Sequence, residues 1–353
     1  DLSEYDKEVV SVQEFDGDQY TFILSGDYEV ETNFNPLAWG ANWGDFTSKI
    51  YKYSVDDYLN KYVAELDIAN FYDSIRLDNL EYIIRGTIES KDNEVVYLLF
   101  HFLKYWNRHN NFYVHQNAGL PQDLFGECSR ILANFYLQSY DKQMKDLCDE
   151  FGGKYFRYAD DQIVFAKSTE TLNNIIARAS SYLTKIGLNL NQKKVNIRKK
   201  SEFNHYFSFE TFMKLGGENK TIPGKNIGDA IEFYLKNKQD IRSNGRTLVR
   251  AILTCLGKAE DEPKNIDDLF QIILTKEFLA SHPPNFKDYK KIYSHIKLIQ
   301  KKEFLALLED ISNECLHTDF LFHYKRFLAS QGINFESVDK NIERVNNIYH
   351  LRT

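Results

Sequence analysis

The sequence predicts an α+β fold, with helices packed on an antiparallel sheet, followed by an all-helical domain. Three observations carry this expectation. Strand-like runs and helical patterns alternate through the first part of the chain in the order strand, helix, helix, hairpin, helix, strand. Beyond "TIPGKN" one amphipathic helical pattern follows another. The chain's 353 residues, 43% hydrophobic and 15% aromatic, are enough for roughly two domains.

Taken in order, the first 65 or so residues mix aromatic-rich runs such as "QYTFIL" with turn residues, as in "NPLAWGANWGD", and read as short strands and loops. "KYVAELDIANFYDSI" is a strand ending near Asp67, turning into a helix with apolar spacing at Leu80, Ile83, Ile84 and Ile88. Residues 94 to 106 read as a buried helix. Gly119 and Pro121 punctuate the chain before a second long helix from Ile131 to Leu147. "KYFRYADDQIVFAK" gives two strands around Asp160 and Asp161, and the helix after them stops at Gly187. From "IGDAIEFYLKN" to "DFLFHYKRFLA", six helical patterns suggest a repeat-like stack, although no sequence period marks one.

Composition narrows the class. No run approaches the ~18 apolar residues of a membrane span, and "DLSEYDKEVV" has no signal-peptide pattern, so the expectation is a cytoplasmic protein with no membrane partner. Because residue 1 is Asp and not Met, the sequence is compatible with a piece of a longer chain. Cys128, Cys148, Cys255 and Cys315 lack Cys-x-x-Cys spacing, which argues against a zinc ribbon or a disulfide framework. A formal net charge of −7 argues against coating nucleic acid by bulk charge, yet "NQKKVNIRKK" (191–200) carries five Lys or Arg and no acid. Alone, such a run is a solvated face.

Asp67 closes a strand, and Asp160 and Asp161 sit in a hairpin turn; an antiparallel sheet can bring the two together. Carboxylates tolerate such proximity when they share a hard cation, and two Mg²⁺ ions about 3.5–4 Å apart activate a hydroxyl and stabilise a leaving phosphate. Singly, Asp67 could equally cap a helix, and the pair could be a polar turn.

Together the residues resemble the reverse transcriptase family. "LDIANFYDSI" is similar to that family's first motif, through Asp67, Tyr72, Asp73 and Ile75. "GLPQ" with "SRILANFYL" resembles the second, "FRYADDQIVF" the third, and "IGLNLNQKKVNI" the fourth, with Lys194 at the lysine position. The resemblance spans residues 62 to 197, with the motifs in the family's order. It implies a polymerase palm at 67–218 with fingers helices inserted near 80–118, partial fingers at 1–66, and a helical domain at 219–353 in place of a clear thumb. It also implies Mg²⁺ ligation by Asp67, Asp160 and Asp161, two ions acting in catalysis with Mn²⁺ able to substitute. Tyr72 is then expected under the nucleotide sugar, Gln122, Ser129 and Asn134 near nucleotide and template, and Lys194 as an acid for the leaving pyrophosphate. Arg157 is expected to brace the sheet. In this setting the basic run becomes a phosphate contact.

The second motif departs from the family pattern: Asp123 replaces a Gly, and Ser129 comes two places late. The fifth motif is faint in "FNHYFSFETF". A palm followed by helices resembles the bacterial abortive-infection and related antiphage-defence reverse transcriptases. This implies DNA synthesis from deoxynucleoside triphosphates, in some members untemplated and primed from a protein hydroxyl, often within a homo-oligomer. The alternatives are a templated enzyme of retron or group II intron type, copying an RNA template, and a silent palm serving as an RNA-binding or assembly scaffold.

Overall fold

The computed structural model describes residues 12–16, 19–22, 39–87, 93–105, 119–121, 127–216, 221–281, 286–315 and 318–351. Two compact units divide the chain, residues 1–203 and 204–353.

An antiparallel ribbon, β1 (Val12–Asp16) and β2 (Gln19–Phe22), opens the first unit. Its main sheet has four antiparallel strands: β3 (Tyr62–Asp67), β4 (Lys154–Tyr158), β5 (Asp161–Ala166) and β6 (Asn196–Lys199). They lie in the order β4-β5-β3-β6, so the strand that ends at Asp67 is internal and paired on both sides. Side chains alternate across a strand, which sorts the sheet into two faces. On one face Ala64, Leu66, Tyr155, Val164 and Ala166 join a core with α5 (Glu127–Phe151) and α6 (Thr169–Lys185). Helical spacing supplies their partners, Tyr136, Tyr140, Met144 and Leu147 on α5 and Leu172, Ile175, Ala179 and Leu183 on α6. Each buried aliphatic side chain contributes about 1.5–3 kcal/mol.

The other face is covered at one end by aromatic rings. Tyr53 of α1 (Trp39–Asp56) meets Phe156 and Phe165 edge-on at 5.5 and 5.0 Å, and Phe203 of α7 (Lys200–Tyr206) meets Phe165 at 5.9 Å. Here the sequence reading is corrected: "WGANWGDFTSKIYKYSVD" is a helix, not turns and strands. Its buried Phe46, Ile50 and Ser54 repeat every four residues, a period hidden by the glycines and aromatics around them.

The short α2 (Phe71–Ser74) and then α3 (Leu77–Thr87) and α4 (Asn93–Tyr105) follow β3, as expected of a strand leading into helices. The expectation of a buried helix at 94–106 holds for one side only. Val96, Phe100 and Leu103 face the core, whereas Val95, Tyr97, Leu98 and Phe102 are exposed. After α6, Gly187 at φ 81° ends the helix in a Schellman turn, with Leu188 N donating to Leu183 O and Gly187 N to Thr184 O.

In the second unit, α8 (Phe209–Leu215) and α9 (Gly224–Asn237) lead into α10 (Arg246–Leu256), α11 (Ile266–Ile273) and α12 (Lys276–Ser281). There follow α13 (Phe286–His295), α14 (Leu298–Glu314), α15 (Thr318–Ser330) and α16 (Glu336–Leu351). Among the described residues its strand-like pairing is a single bridge, Ile222 to Ala259. Ile231, Leu248, Ile252, Leu269 and Tyr289 belong to its core, and Tyr289 packs against Phe304, Phe320 and Phe327. The boundary falls earlier than the expected 218, because α8 packs on α9 and α10 and Leu215 enters the helical core. "FNHYFSFETF", the faint fifth motif, is carried by α7 and α8 and not by strands. Cys128, Cys148, Cys255 and Cys315 form no disulfide, and no helix among the described residues is long and apolar enough to cross a membrane.

Candidate active site

The register of β3 on β5 sets Asp67 directly opposite Asp161, and that of β4 on β5 sets Tyr158 opposite Asp161. The hairpin loop is therefore Ala159 and Asp160. Ala159 has φ 53°, the left-handed region at the first central residue of a two-residue turn, the pattern of a type II′ hairpin. Glycine adopts it freely; for alanine it costs roughly 1–2 kcal/mol. The turn gathers carboxylates at one end of the sheet. Burial, then the charges of Asp161 and Asp67, push the Asp160 carboxyl up to about 6.

Asp67 is 95% covered in its surroundings, at 5% exposure, and both of its carboxylate oxygens are engaged. Asn191 Nδ2 donates to Oδ2 at 3.0 Å and Lys194 Nζ to Oδ1 at 2.7 Å. The chain after the Gly187 turn makes this possible by continuing antiparallel beside the end of β3. Ala69 N donates to Asn189 O and Asn191 N to Asp67 O, both at 2.8 Å, and a 3-10 turn at Gln192–Lys194 then brings Lys194 in. Its hydrogen bond to Asp67, more than the surrounding charge, holds the Lys194 ammonium above its ordinary pKa. Glu65 and Arg198, an ion pair from β3 to β6, share the sheet face of Asp67.

Below the turn, on the opposite face, lies a fully buried polar network. The Arg157 guanidinium donates Nε to Asp141 Oδ1 at 2.8 Å and Nη2 to Asp141 Oδ2 at 2.6 Å. Its Nη1 donates to Asn134 Oδ1 at 3.0 Å and to Ala159 O at 2.8 Å. Tyr140 donates to Gln162 Oε1 at 2.7 Å, and Tyr155 lies 3.1 Å from Asp141 Oδ1. Burial opposes the Arg157 charge, but Asp141 outweighs it and raises the arginine's pKa; burial likewise raises the Asp141 carboxyl, against the pull of Arg157 and the hydrogen bonds it accepts. Removing one partner of such a buried pair costs about 3–5 kcal/mol.

Tyr72, on α2, is half-buried; burial pushes its hydroxyl up to about 12, with Arg130 pulling down and Asp160 up. Its carbonyl accepts from Leu120 N at 2.9 Å. Gly119 is what lets that segment approach: a Cβ there would meet Tyr72 O at 2.3 Å and Asp73 Cα at 2.5 Å. The expected residues thus separate into groups. Asp67, Asp160, Asp161 and Lys194 come together, and Tyr72 lies within electrostatic reach of Asp160. Asn134 is buried on α5 with its amide oxygen on Arg157, and Ser129 is buried on the same helix. Gln122 and Asp123 lie outside the described residues. Sequence reasoning missed Asn191, Asp141 and Gln162, which acquire meaning only through contacts distant in sequence.

Three hard carboxylates suit Mg²⁺ or Mn²⁺ by chemistry. As the side chains stand, with Asp67 paired to Lys194, no three His, Cys, Asp or Glu among the described residues are gathered around a metal position. Asp67 is instead turned to an ammonium, which answers its charge where a cation is called for.

The profile of the reverse transcriptase (RNA-dependent DNA polymerase) family matches residues 28–210, just over half of the chain. The chain belongs to the reverse transcriptase family. The match takes in the sheet, the carboxylates, Tyr72 and Lys194, and ends within α8. RNA-dependent DNA polymerase is the activity by which that family is described. Similar solved structures include telomerase from Candida tropicalis with the TWJ fragment of telomeric RNA, at 10% identity and TM-score 0.37, covering 87% of this chain and 52% of that one. Telomerase from Candida albicans with the same kind of fragment gives 12% identity and TM-score 0.34, covering 86% and 52%. The chain thus spans about half the length of these telomerase chains. Among curated proteins none matches the sequence.

Proposed function

We propose that this reverse transcriptase synthesises DNA by Mg²⁺-dependent nucleotidyl transfer in bacterial antiphage defence, starting from a protein hydroxyl and extending the 3′-hydroxyl of the growing strand. One observation carries the chemistry: Asp67 lies opposite Asp161 with Asp160 in the adjoining turn, inside the region matched to the family. The defence reading is supported by the order of the chain, a catalytic region followed by an all-helical unit, which resembles defence enzymes. Asp67, Asp160 and Asp161 are the residues that would hold the metal. When bound, it supplies Lewis acidity to the attacking hydroxyl and to the departing phosphate oxygens. The hydroxyl gives its proton to solvent as its oxygen forms a bond to the α-phosphorus of a deoxynucleoside triphosphate, the bond to the bridging oxygen breaks, and pyrophosphate leaves. In this reading Lys194, bonded to Asp67 beforehand, parts from it and gives that leaving group a proton. Tyr72 supplies a wall against a 2′-hydroxyl.

The test is incubation of the protein with Mg²⁺ and labelled deoxynucleotides, with and without primer and RNA template, beside Asp160→Ala/Asp161→Ala. Label that stays with the protein until protease digestion, absent in the double variant, is the expected result. Incorporation that requires primer and template replaces protein priming with templated synthesis. No incorporation under any condition overturns the enzymatic reading and leaves the scaffold.

A further inference from the structure

The Arg157 guanidinium has a use beyond bracing the sheet. Of its bonds, two go to Asp141 and one to Asn134, both on α5, and the remaining one described goes to the carbonyl of Ala159. Ala159 is the left-handed residue immediately before Asp160, so its carbonyl direction fixes the plane of the peptide that carries the Asp160 amide. Asp141 and Arg157 are each fully buried and locked to one another by a two-point fork, which leaves the guanidinium no rotational freedom. The long helix α5 is thereby tied, through one side chain, to the backbone of the turn that presents two carboxylates.

We propose that Arg157, oriented by Asp141 and Asn134, is a positioning residue that sets the Ala159–Asp160 peptide and so aims the Asp160 and Asp161 carboxylates at Asp67. The proposal rests on the catalytic reading of those carboxylates. Lysine cannot replace the arginine, because one ammonium cannot reach the Asp141 fork and the Ala159 carbonyl in the same plane.

Two variants test it. Arg157→Lys keeps the charge beside Asp141 but breaks the fork. Arg157→Met/Asp141→Leu removes both charges together, a replacement that buried pairs commonly tolerate, and so guards against misfolding of the first. Three readouts are taken on the full chain: thermal midpoint, hydrogen exchange of the peptide covering 155–165, and Mn²⁺ binding by electron paramagnetic resonance, with kcat and KM for deoxynucleotide alongside. The double variant is expected to fold with a midpoint near wild type, yet to exchange faster at the turn, bind Mn²⁺ about 10- to 100-fold more weakly, and lose kcat with KM little changed. A folded double variant with wild-type turn exchange and Mn²⁺ affinity overturns the proposal and leaves the pair a structural one. If wild type itself incorporates no nucleotide, the functional reading fails separately, and the exchange and Mn²⁺ arms still decide whether Arg157 sets the turn.

Discussion

At the scale of single residues, the site is a contest for Asp67. Its Oδ1 is held by an ammonium 62% exposed to solvent, and screening at that exposed lysine end keeps the worth of the pair to roughly 0.2–1 kcal/mol although Asp67 is buried. A divalent ion approaching Asp67 has to displace Lys194. Lys194→Met is therefore expected to tighten Mn²⁺ binding about two- to fivefold while slowing single-turnover incorporation, because the same change removes the proton donor. Titration with Mn²⁺ beside rapid-quench kinetics reads both signs, and weakened Mn²⁺ binding in the variant would show that Lys194 does not compete. The carboxylates and Lys194 were legible in the sequence because each falls in a short motif with fixed spacing. Asn191 and Asp141 were not. Their partners, Asp67 and Arg157, lie outside any local window, and no pattern of polarity marks a helix residue that will be buried against a guanidinium.

At the scale of elements, spacing predicted β3, the β4–β5 hairpin and α6 with its Gly187 stop, since alternation, a turn and a glycine at positive φ all act locally. It failed at α1, where glycines and aromatics obscure the four-residue repeat of Phe46, Ile50 and Ser54. It half-failed at α4, whose apolar residues lie on both sides of the helix and cannot reveal which side is buried. The segment at Gly119 gives a test of how closely elements must approach. Gly119→Ala drives a methyl into the Tyr72 carbonyl and Asp73 Cα, backbone atoms that can yield only if α2 shifts. The expected cost is about 1–3 kcal/mol of stability, read as a lower thermal midpoint. Because Tyr72 moves with α2, discrimination between deoxy- and ribonucleotides should fall as well. A variant unchanged in both midpoint and discrimination would mean that the contact relaxes without moving the tyrosine.

At the scale of the whole molecule, the two largest groups of buried apolar side chains named among the described residues share no residue. One is built from sheet, α5 and α6, and the other from helices of the second unit. A segment with its own core is able to fold alone when it buries enough apolar surface, and helices that are neighbours in sequence make that burial mostly local. In the second unit α9 packs with α10 and α15 with α16, while Tyr289 and its surrounding rings join α13, α14 and α15. Residues 204–353 expressed alone are therefore expected to give a helical circular dichroism spectrum and a single cooperative melt. Leu253→Ala, at a buried core position, is expected to remove about 2–5 kcal/mol from that fragment. A non-cooperative melt, or a fragment indifferent to Leu253→Ala, would mean that the helical core depends on the unit that bears the carboxylates. In that case the two units fold as one, and a change in the helices is transmitted to the site through stability and not through a separate domain.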